Sequence, residues 1–239
     1  MALPVLNTAT YELTIPSNKE KIEYRPFLVK EEKVLLTAIE TGDIDDIQRN
    51  TRNIIDTCTF GKLNVKELTP YDVDYIFLQL RARSIGEHIA IGAKCDKCEE
   101  SNPQSIDITE IKPTEHDESV GYKFSITDDV GVIMKHPRVK DVERMEEQLT
   151  LSENKVDNII AIIAASIESI YDKDSQYFAE DHTPEELIEF INNLRQPQLD
   201  SINNFFLAMP KVAYDLKFKC TKCGHDNQVH LEGLKDFFG

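Results

Sequence analysis

Lys94-Cys95-Asp96-Lys97-Cys98-Glu99-Glu100-Ser101-Asn102 and Lys219-Cys220-Thr221-Lys222-Cys223-Gly224-His225-Asp226-Asn227 repeat one pattern: Lys-Cys-x-Lys-Cys, then Asn four residues on. A Cys-x-x-Cys turn points both sulfurs at one ion, and two such turns supply the four thiolates of a closed tetrahedral site. A strand-like run precedes each copy, Ile89–Ala93 and Tyr214–Phe218, and an alternating segment follows each, Ile106–Ile108 and Val229–Leu231. Two hairpin knuckles on one metal form a zinc ribbon. The knuckles are 121 residues apart (99–219), so the spacing predicts a large insertion between the two halves of the ribbon. Cys95, Cys98, Cys220 and Cys223 are the predicted ligands of one structural zinc ion. Four thiolates leave no open coordination position, so this metal would hold the fold and do no chemistry.

Other readings of the cysteines are weaker. Neither pair opens a helix after a strand, as a thioredoxin-like redox motif would. Met1-Ala2-Leu3-Pro4 lacks the cationic and apolar regions of a signal peptide, which argues against disulfides. His225 could replace one thiolate but is expected to be a bystander, and His230 to face solvent from a strand. Cys58, on the apolar face of a helix, reads as a small buried hydrophobe.

Outside the ribbon the periodicity predicts an α+β chain. Tyr11–Ile15 and Lys21–Arg25 alternate around a Pro16–Glu20 turn and form an N-terminal β-hairpin. Helices follow over Lys30–Thr41 (Val34, Leu35, Ala38 and Ile39 inward), from an Asp43 cap to Thr57, and from a Thr69 cap with Pro70 to Ser84. Strands are predicted over Ser105–Ile111, Tyr122–Ile126 and Val130–Met134. Then come helices over Val139–Leu149, from a cap at Ser152-Glu153-Asn154-Lys155 along a Val156–Ile170 stripe, from Thr183 through Leu194, and over Pro197–Ala208. The implied organisation is an N-terminal hairpin and helical region (1–86), two ribbon halves (87–111 and 211–233), a largely helical insertion (112–210) and a C-terminal tail (234–239).

Composition narrows the function. The 239 residues carry 43 acidic and 27 basic side chains, a formal net charge of −16 that opposes nucleic-acid phosphates and anionic membranes. The longest apolar run, Ile159–Ala165, falls far short of the ~20 residues of a membrane span. No phosphate-loop, dinucleotide, nucleophile-elbow or metalloprotease motif occurs. The acid pairs lie in predicted helices, where solvation or the helix dipole accounts for them. Asp172-Lys173-Asp174-Ser175 hints at a calcium loop but lacks its glycine and distal glutamate. The chain is therefore expected not to be an enzyme; a zinc hydrolase would need an open metal position. Lys94, Lys97, Lys219 and Lys222 at the knuckle tips support an alternative, a zinc-ribbon regulator that binds nucleic acid. No aromatic residue interleaves them.

One further stretch, Lys21-Ile22-Glu23-Tyr24-Arg25-Pro26-Phe27-Leu28-Val29-Lys30-Glu31-Glu32-Lys33-Val34-Leu35-Leu36, resembles the T4-type bacteriophage baseplate hub and hub-assembly proteins. So do Asp72–Glu87, the paired cysteines and the chain length. The resemblance implies a non-enzymatic protein acting in assembly of the central baseplate hub of a contractile tail, as a structural subunit or an assembly chaperone. Its implied partners are other baseplate hub and tail proteins. Its implied location is the host cytoplasm during assembly and the tail baseplate of the virion. Arg25, Pro26 and Phe27 at the end of the hairpin, and Phe237 and Phe238 in the tail, are the candidate partner-binding residues.

Overall fold

The computed structural model describes residues 7–42, 44–149 and 155–237. They form two compact units. The first comprises the described residues of Met1–Val65, Tyr71–Thr114 and Lys211–Gly239; the second comprises Lys66–Pro70 and Glu115–Pro210.

The first unit opens with a hairpin. Strands β1 (Tyr11–Thr14) and β2 (Lys21–Tyr24) pair antiparallel with Tyr11 opposite Tyr24. Helix α1 (Val29–Thr41) follows. Its first turn is capped by Glu31, whose Oε2 accepts from the Leu28 N–H at 2.7 Å, and Gly42 closes it at φ 71°. Leu35 and Ala38 are buried as expected, but Val34 is exposed, and Glu31 takes a place on the inner face. Helix α2 (Ile44–Cys58) follows; the proposed Asp43 cap lies outside the described residues. Helix α3 (Pro70–Ser84) begins at the predicted Thr69-Pro70 start. Buried Asp72 accepts the Ser17 N–H at 3.0 Å, which ties the hairpin turn to this helix.

The ribbon belongs to the same unit. Strands β3 (His88–Lys94) and β4 (Ser101–Asp107) make one antiparallel hairpin. The predicted strand over Ser105–Ile111 thus starts earlier and ends at Asp107. Ile108 leaves the ladder but keeps its N–H on the Glu87 carbonyl at 2.9 Å.

The second unit is a four-stranded antiparallel sheet with helices. The sheet order is β5 (Lys123–Ser125), β6 (Gly131–Met134), β7 (Ile167–Tyr171), β8 (Gln176–Phe178). Helices α4 (Val139–Leu149) and α5 (Lys155–Ala165) connect β6 to β7; the proposed cap at Ser152–Asn154 lies outside the described residues. After β8 come α6 (Pro184–Asn192), with the predicted Thr183–Glu186 capping box, and α7 (Gln196–Ala208). One core joins Val132, Met134, Met145, Ile163, Ile167, Leu187, Ile202 and Phe205.

This unit corrects the apolar stripe over Val156–Ile170. The helix stops at Ala165, and Ile167 and Ile170 lie on β7. Ser166, fully buried, ends the helix: its Oγ donates to the Ile162 carbonyl at 2.8 Å, and its own carbonyl accepts from Lys135 N–H beside β6. The Asp172–Ser175 segment is the β7–β8 turn. Asp172 Oδ1 accepts the Asp174 and Ser175 N–H groups, both at 2.8 Å, so a tight turn accounts for the acidic cluster.

The remaining strands complete the first unit. β9 (Ala213–Lys219) and β10 (Asp226–Glu232) form the second ribbon hairpin, and α8 (Gly233–Phe237) follows. The expected tail is therefore a short helix whose Phe237 is 1% exposed. Leu78 and Ala82 of α3, Ile89, Ala93 and Ile106 of the first hairpin, Leu216, Phe218 and Leu231 of the second, and Phe237 share one core. N-terminal region, ribbon and terminal helix belong to one compact unit. Among the described residues no helix is long and apolar enough to cross a membrane.

Two features are testable. A Cβ on Gly131 would meet the Tyr171 hydroxyl and lie 2.7 Å from the Phe124 carbonyl oxygen. Gly131→Ala should therefore cost the protein about 1–3 kcal/mol, read by circular dichroism in urea. On α3, burial pushes the Asp74 carboxyl up to about 7. The folded chain then holds a proton that the unfolded chain releases near the ordinary carboxylate pKa. Asp74 favours the fold below about pH 4, and this contribution is lost as pH rises toward 7. Asp74→Asn should remove that loss and stabilise the protein at pH 8 by up to about 4 kcal/mol relative to wild type, with little change at pH 4.

Candidate metal centre

The two hairpins have the same length and the same register. Lys94 pairs with Ser101 at the mouth of the first knuckle, and Lys219 with Asp226 at the mouth of the second. In each, the first cysteine donates its N–H to the carbonyl five residues on: Cys95 to Glu100 at 2.9 Å and Cys220 to His225 at 2.8 Å. In each, the residue after the second cysteine takes a left-handed conformation: Glu99 at φ 57° and Gly224 at φ 69°. This geometry turns the chain sharply enough to aim both sulfurs inward.

The four sulfurs converge. Cys95 Sγ lies 3.6 Å from Cys223 Sγ, and Cys98 Sγ lies 3.6 Å from Cys220 Sγ. All four lie within 4.8 Å of one another. Sulfurs at about 2.3 Å from a tetrahedral zinc ion stand about 3.8 Å apart, so the cluster has the size of a thiolate metal site. Cysteines 95, 98, 220 and 223, predicted as ligands from their spacing, are thus brought together and could hold one metal ion.

The protonation chemistry favours a cation. The Cys223 N–H, joined by that of Lys222 against the opposing effect of burial, holds the Cys220 thiol down at about 6. Burial raises Cys95, but backbone hydrogen bonds from Lys97 and Cys98 outweigh it and leave the thiol below its ordinary value. Cys98 receives a backbone hydrogen bond from Glu100, yet burial and the three neighbouring sulfurs push it up to about 12. The first thiols ionise readily and the last resists because negative charge has already gathered. A divalent cation removes that conflict.

The repeated asparagines supply a link that the sequence pattern displayed without revealing its purpose. Each reaches across to the opposite knuckle. Asn227 Oδ1 accepts the Asp96 N–H at 2.9 Å, and Asn102 Oδ1 accepts the Thr221 N–H at 2.9 Å and its hydroxyl at 3.0 Å. Each side-chain amide also donates to its own hairpin, Asn102 to the Glu100 carbonyl at 2.8 Å and Asn227 to the His225 carbonyl at 2.9 Å. Both asparagines are buried. The signal that could have found them was the matched position, four residues after the second cysteine in both copies.

The remaining candidates separate. The metal-capable group consists of the four cysteines, with His225 outside it. His230 Nδ1 lies 2.8 Å from Asp215 Oδ1 and its Nε2 lies 3.4 Å from Glu232 Oε2, so it faces two carboxylates, away from any thiolate. Lys222 is ion-paired with Glu100 at 2.7 Å.

Arg25 and Phe27, candidates for a partner-binding edge, both make contacts within the first unit. Arg25 Nη2 pairs with the nearly buried Glu31 at 3.0 Å, and its Nη1 donates to the Pro26 carbonyl at 2.8 Å. Phe27, 5% exposed, stacks on Phe77, and its N–H donates to Ser84 Oγ at 2.9 Å. Pro26 is half-buried between them in sequence. Phe237 lies in the ribbon core. Phe238 lies outside the described residues. Cys58 is fully buried, and burial pushes its thiol up to about 11, as suits a packed residue.

The cross-knuckle asparagines should matter to stability. Asn102→Ala leaves the Thr221 N–H without its partner and should cost about 1–3 kcal/mol, more than removing an exposed asparagine such as Asn192. Parallel thermal melts of the two variants measure the difference.

No curated protein and no solved structure matches this chain. The family model for the T4 bacteriophage base plate protein, however, matches residues 8–239. That span covers both units, both knuckles and the two stretches that carry the resemblance, and the chain belongs to the T4 bacteriophage base plate protein family.

Proposed function

We propose that this base plate protein acts in assembly of the central baseplate hub, without enzymatic activity, and that one structural zinc ion held by Cys95, Cys98, Cys220 and Cys223 stabilises it. The family match over residues 8–239 carries the base plate part of this reading. The four converging sulfurs carry the metal part. Zinc is the ion that suits four thiolates in a closed tetrahedral site. The hub role rests on the resemblance of residues 21–36 and 72–87 to hub and hub-assembly proteins. The partners in this reading are other hub and tail proteins, met in the host cytoplasm during assembly. The chain either stays in the virion as a subunit or leaves as a chaperone.

The zinc-ribbon regulator has one observation in its favour, the exposed Lys94, Lys97 and Lys219 around the knuckles. The pairing of Lys222 with Glu100 and the formal net charge of −16 weigh against it.

Two measurements test the proposal. Mass spectrometry of purified particles beside assembly intermediates should find the chain at fixed stoichiometry in particles if it is a subunit, or only in intermediates if it is a chaperone. Its absence from both would refute the hub role. Cobalt-substituted protein should show thiolate-to-metal absorption of four-sulfur coordination, with one metal per chain. Chelation, or Cys220→Ser, should lower the melting temperature and abolish cooperative unfolding of the first unit. A metal-free protein with unchanged melting would remove the zinc.

A further inference from the structure

In the second unit, two histidines that stand 20 residues apart in sequence meet at their ring nitrogens. His116 lies in the segment before β5 and His136 just after β6. His136 Nε2 is 3.3 Å from His116 Nδ1, and the Tyr122 hydroxyl is 3.5 Å from His136 Nε2. The His116 ring stacks on Tyr122 at 4.8 Å, and Phe205, fully buried, packs against all three rings. Backbone bonds fix the three segments: Asp117 N–H to the Ala208 carbonyl at 3.0 Å, Met134 N–H to Tyr122 at 2.7 Å and Lys135 N–H to Ser166 at 2.7 Å.

The tautomer of His116 follows from its other nitrogen. His116 Nε2 lies 2.8 Å from the Val120 carbonyl oxygen. A carbonyl can only accept, so Nε2 carries the proton and Nδ1 presents a lone pair. A metal-bound histidine is arranged this way: one nitrogen donates to a backbone carbonyl while the other faces the ion. Two imidazole nitrogens at about 2.0–2.1 Å from a tetrahedral ion stand about 3.3 Å apart, which matches the observed separation.

We infer that His116 Nδ1, His136 Nε2 and the Tyr122 hydroxyl form a second, partly open metal site, suited to a borderline divalent transition ion such as Zn²⁺, Co²⁺ or Ni²⁺. The two imidazole donors favour these ions over Mg²⁺ and Ca²⁺. A ligand nitrogen carries no proton, so the ion displaces the proton between the two rings and binding is coupled to proton loss from His136 Nε2. Tyr122 is 43% exposed, so an ion can reach the site from solvent and keep a water or a partner's side chain in its remaining position. The site shares no residue with the four-cysteine cluster and stands or falls without it.

The test uses the full chain and counts Zn²⁺ per chain by native mass spectrometry across a titration. Wild type should take one ion more than His136→Gln. The glutamine amide can still donate to His116 Nδ1, and so preserves the structural hydrogen bond, but it is a poor ligand. Affinity for that ion should fall at least about tenfold in this variant, and also in His116→Ala, without a matching loss of secondary structure. On the wild-type protein itself, Zn²⁺ should shift the ring-nitrogen resonances of His116 and His136 together, a readout that needs no variant to fold. Equal zinc stoichiometry and affinity in wild type and His136→Gln, or no shift of the two rings at saturating Zn²⁺, overturns the site.

Discussion

The first unit depends on bringing Cys95 and Cys98 to Cys220 and Cys223 across a 121-residue gap. Closing a loop of that length costs about 5 kcal/mol of chain entropy, most of it incurred once whatever the loop contains. Three kinds of interaction offset it at one place. The two hairpins bury Ile89, Ile106, Leu216 and Leu231 in a common core with α3 and α8. The buried asparagines cross between the knuckles and accept from the Asp96 and Thr221 amides of the opposite turn. The four sulfurs form a cluster whose accumulated charge a cation could relieve. Because α3 contributes Leu78 and Ala82 to that core, a failure at the knuckles reaches the N-terminal half as well.

The same constraint explains how the ribbon tolerates an insertion of domain size. Where the chain leaves the first unit and where it returns are pinned side by side. Pro113 forms a β-bridge with Val212, the Thr114 N–H donates to the Lys211 carbonyl at 2.9 Å, and the Lys211 N–H returns to Thr114 Oγ1 at 3.0 Å. An inserted segment whose ends are held together loses little entropy by folding on its own. The second unit has its own core around Met134, Ile163, Ile167 and Phe205, and a four-stranded sheet that shares no ladder with the ribbon hairpins.

The hairpin that carries the family resemblance has a structural use for its arginine. Burial penalises the Glu31 carboxylate, but its hydrogen bonds from Arg25 and the Leu28 N–H outweigh that penalty and hold it below the usual carboxylate range. One carboxylate thus caps α1 and neutralises a half-buried guanidinium. Arg25 Nη1 also approaches Cys58 Sγ at 3.8 Å, and the Arg25 N–H donates to the Cys58 carbonyl, which joins the end of β2 to the end of α2. Arg25-Pro26-Phe27 therefore positions secondary structure.

Much was legible in the sequence because it is written in short-range chemistry. The cysteine spacing set the four-sulfur cluster. The Thr69-Pro70 and Thr183-Glu186 signals placed two helix starts, and alternation placed the N-terminal hairpin. Each depends on residues within about five positions, where backbone geometry alone decides what can touch. Tertiary structure decided the rest. The Val156–Ile170 stripe suits a helix by periodicity, yet its last residues pair with β6, because a strand edge and a buried Ser166 were available only in three dimensions. Phe237 looked like an exposed tail and is a core residue, because the second hairpin returns it beneath the first. The repeated asparagines and the His116–His136 contact join positions separated by 119 and 20 residues. No local pattern can report such contacts, since the entropy of bringing their ends together is met by the packing of everything between them.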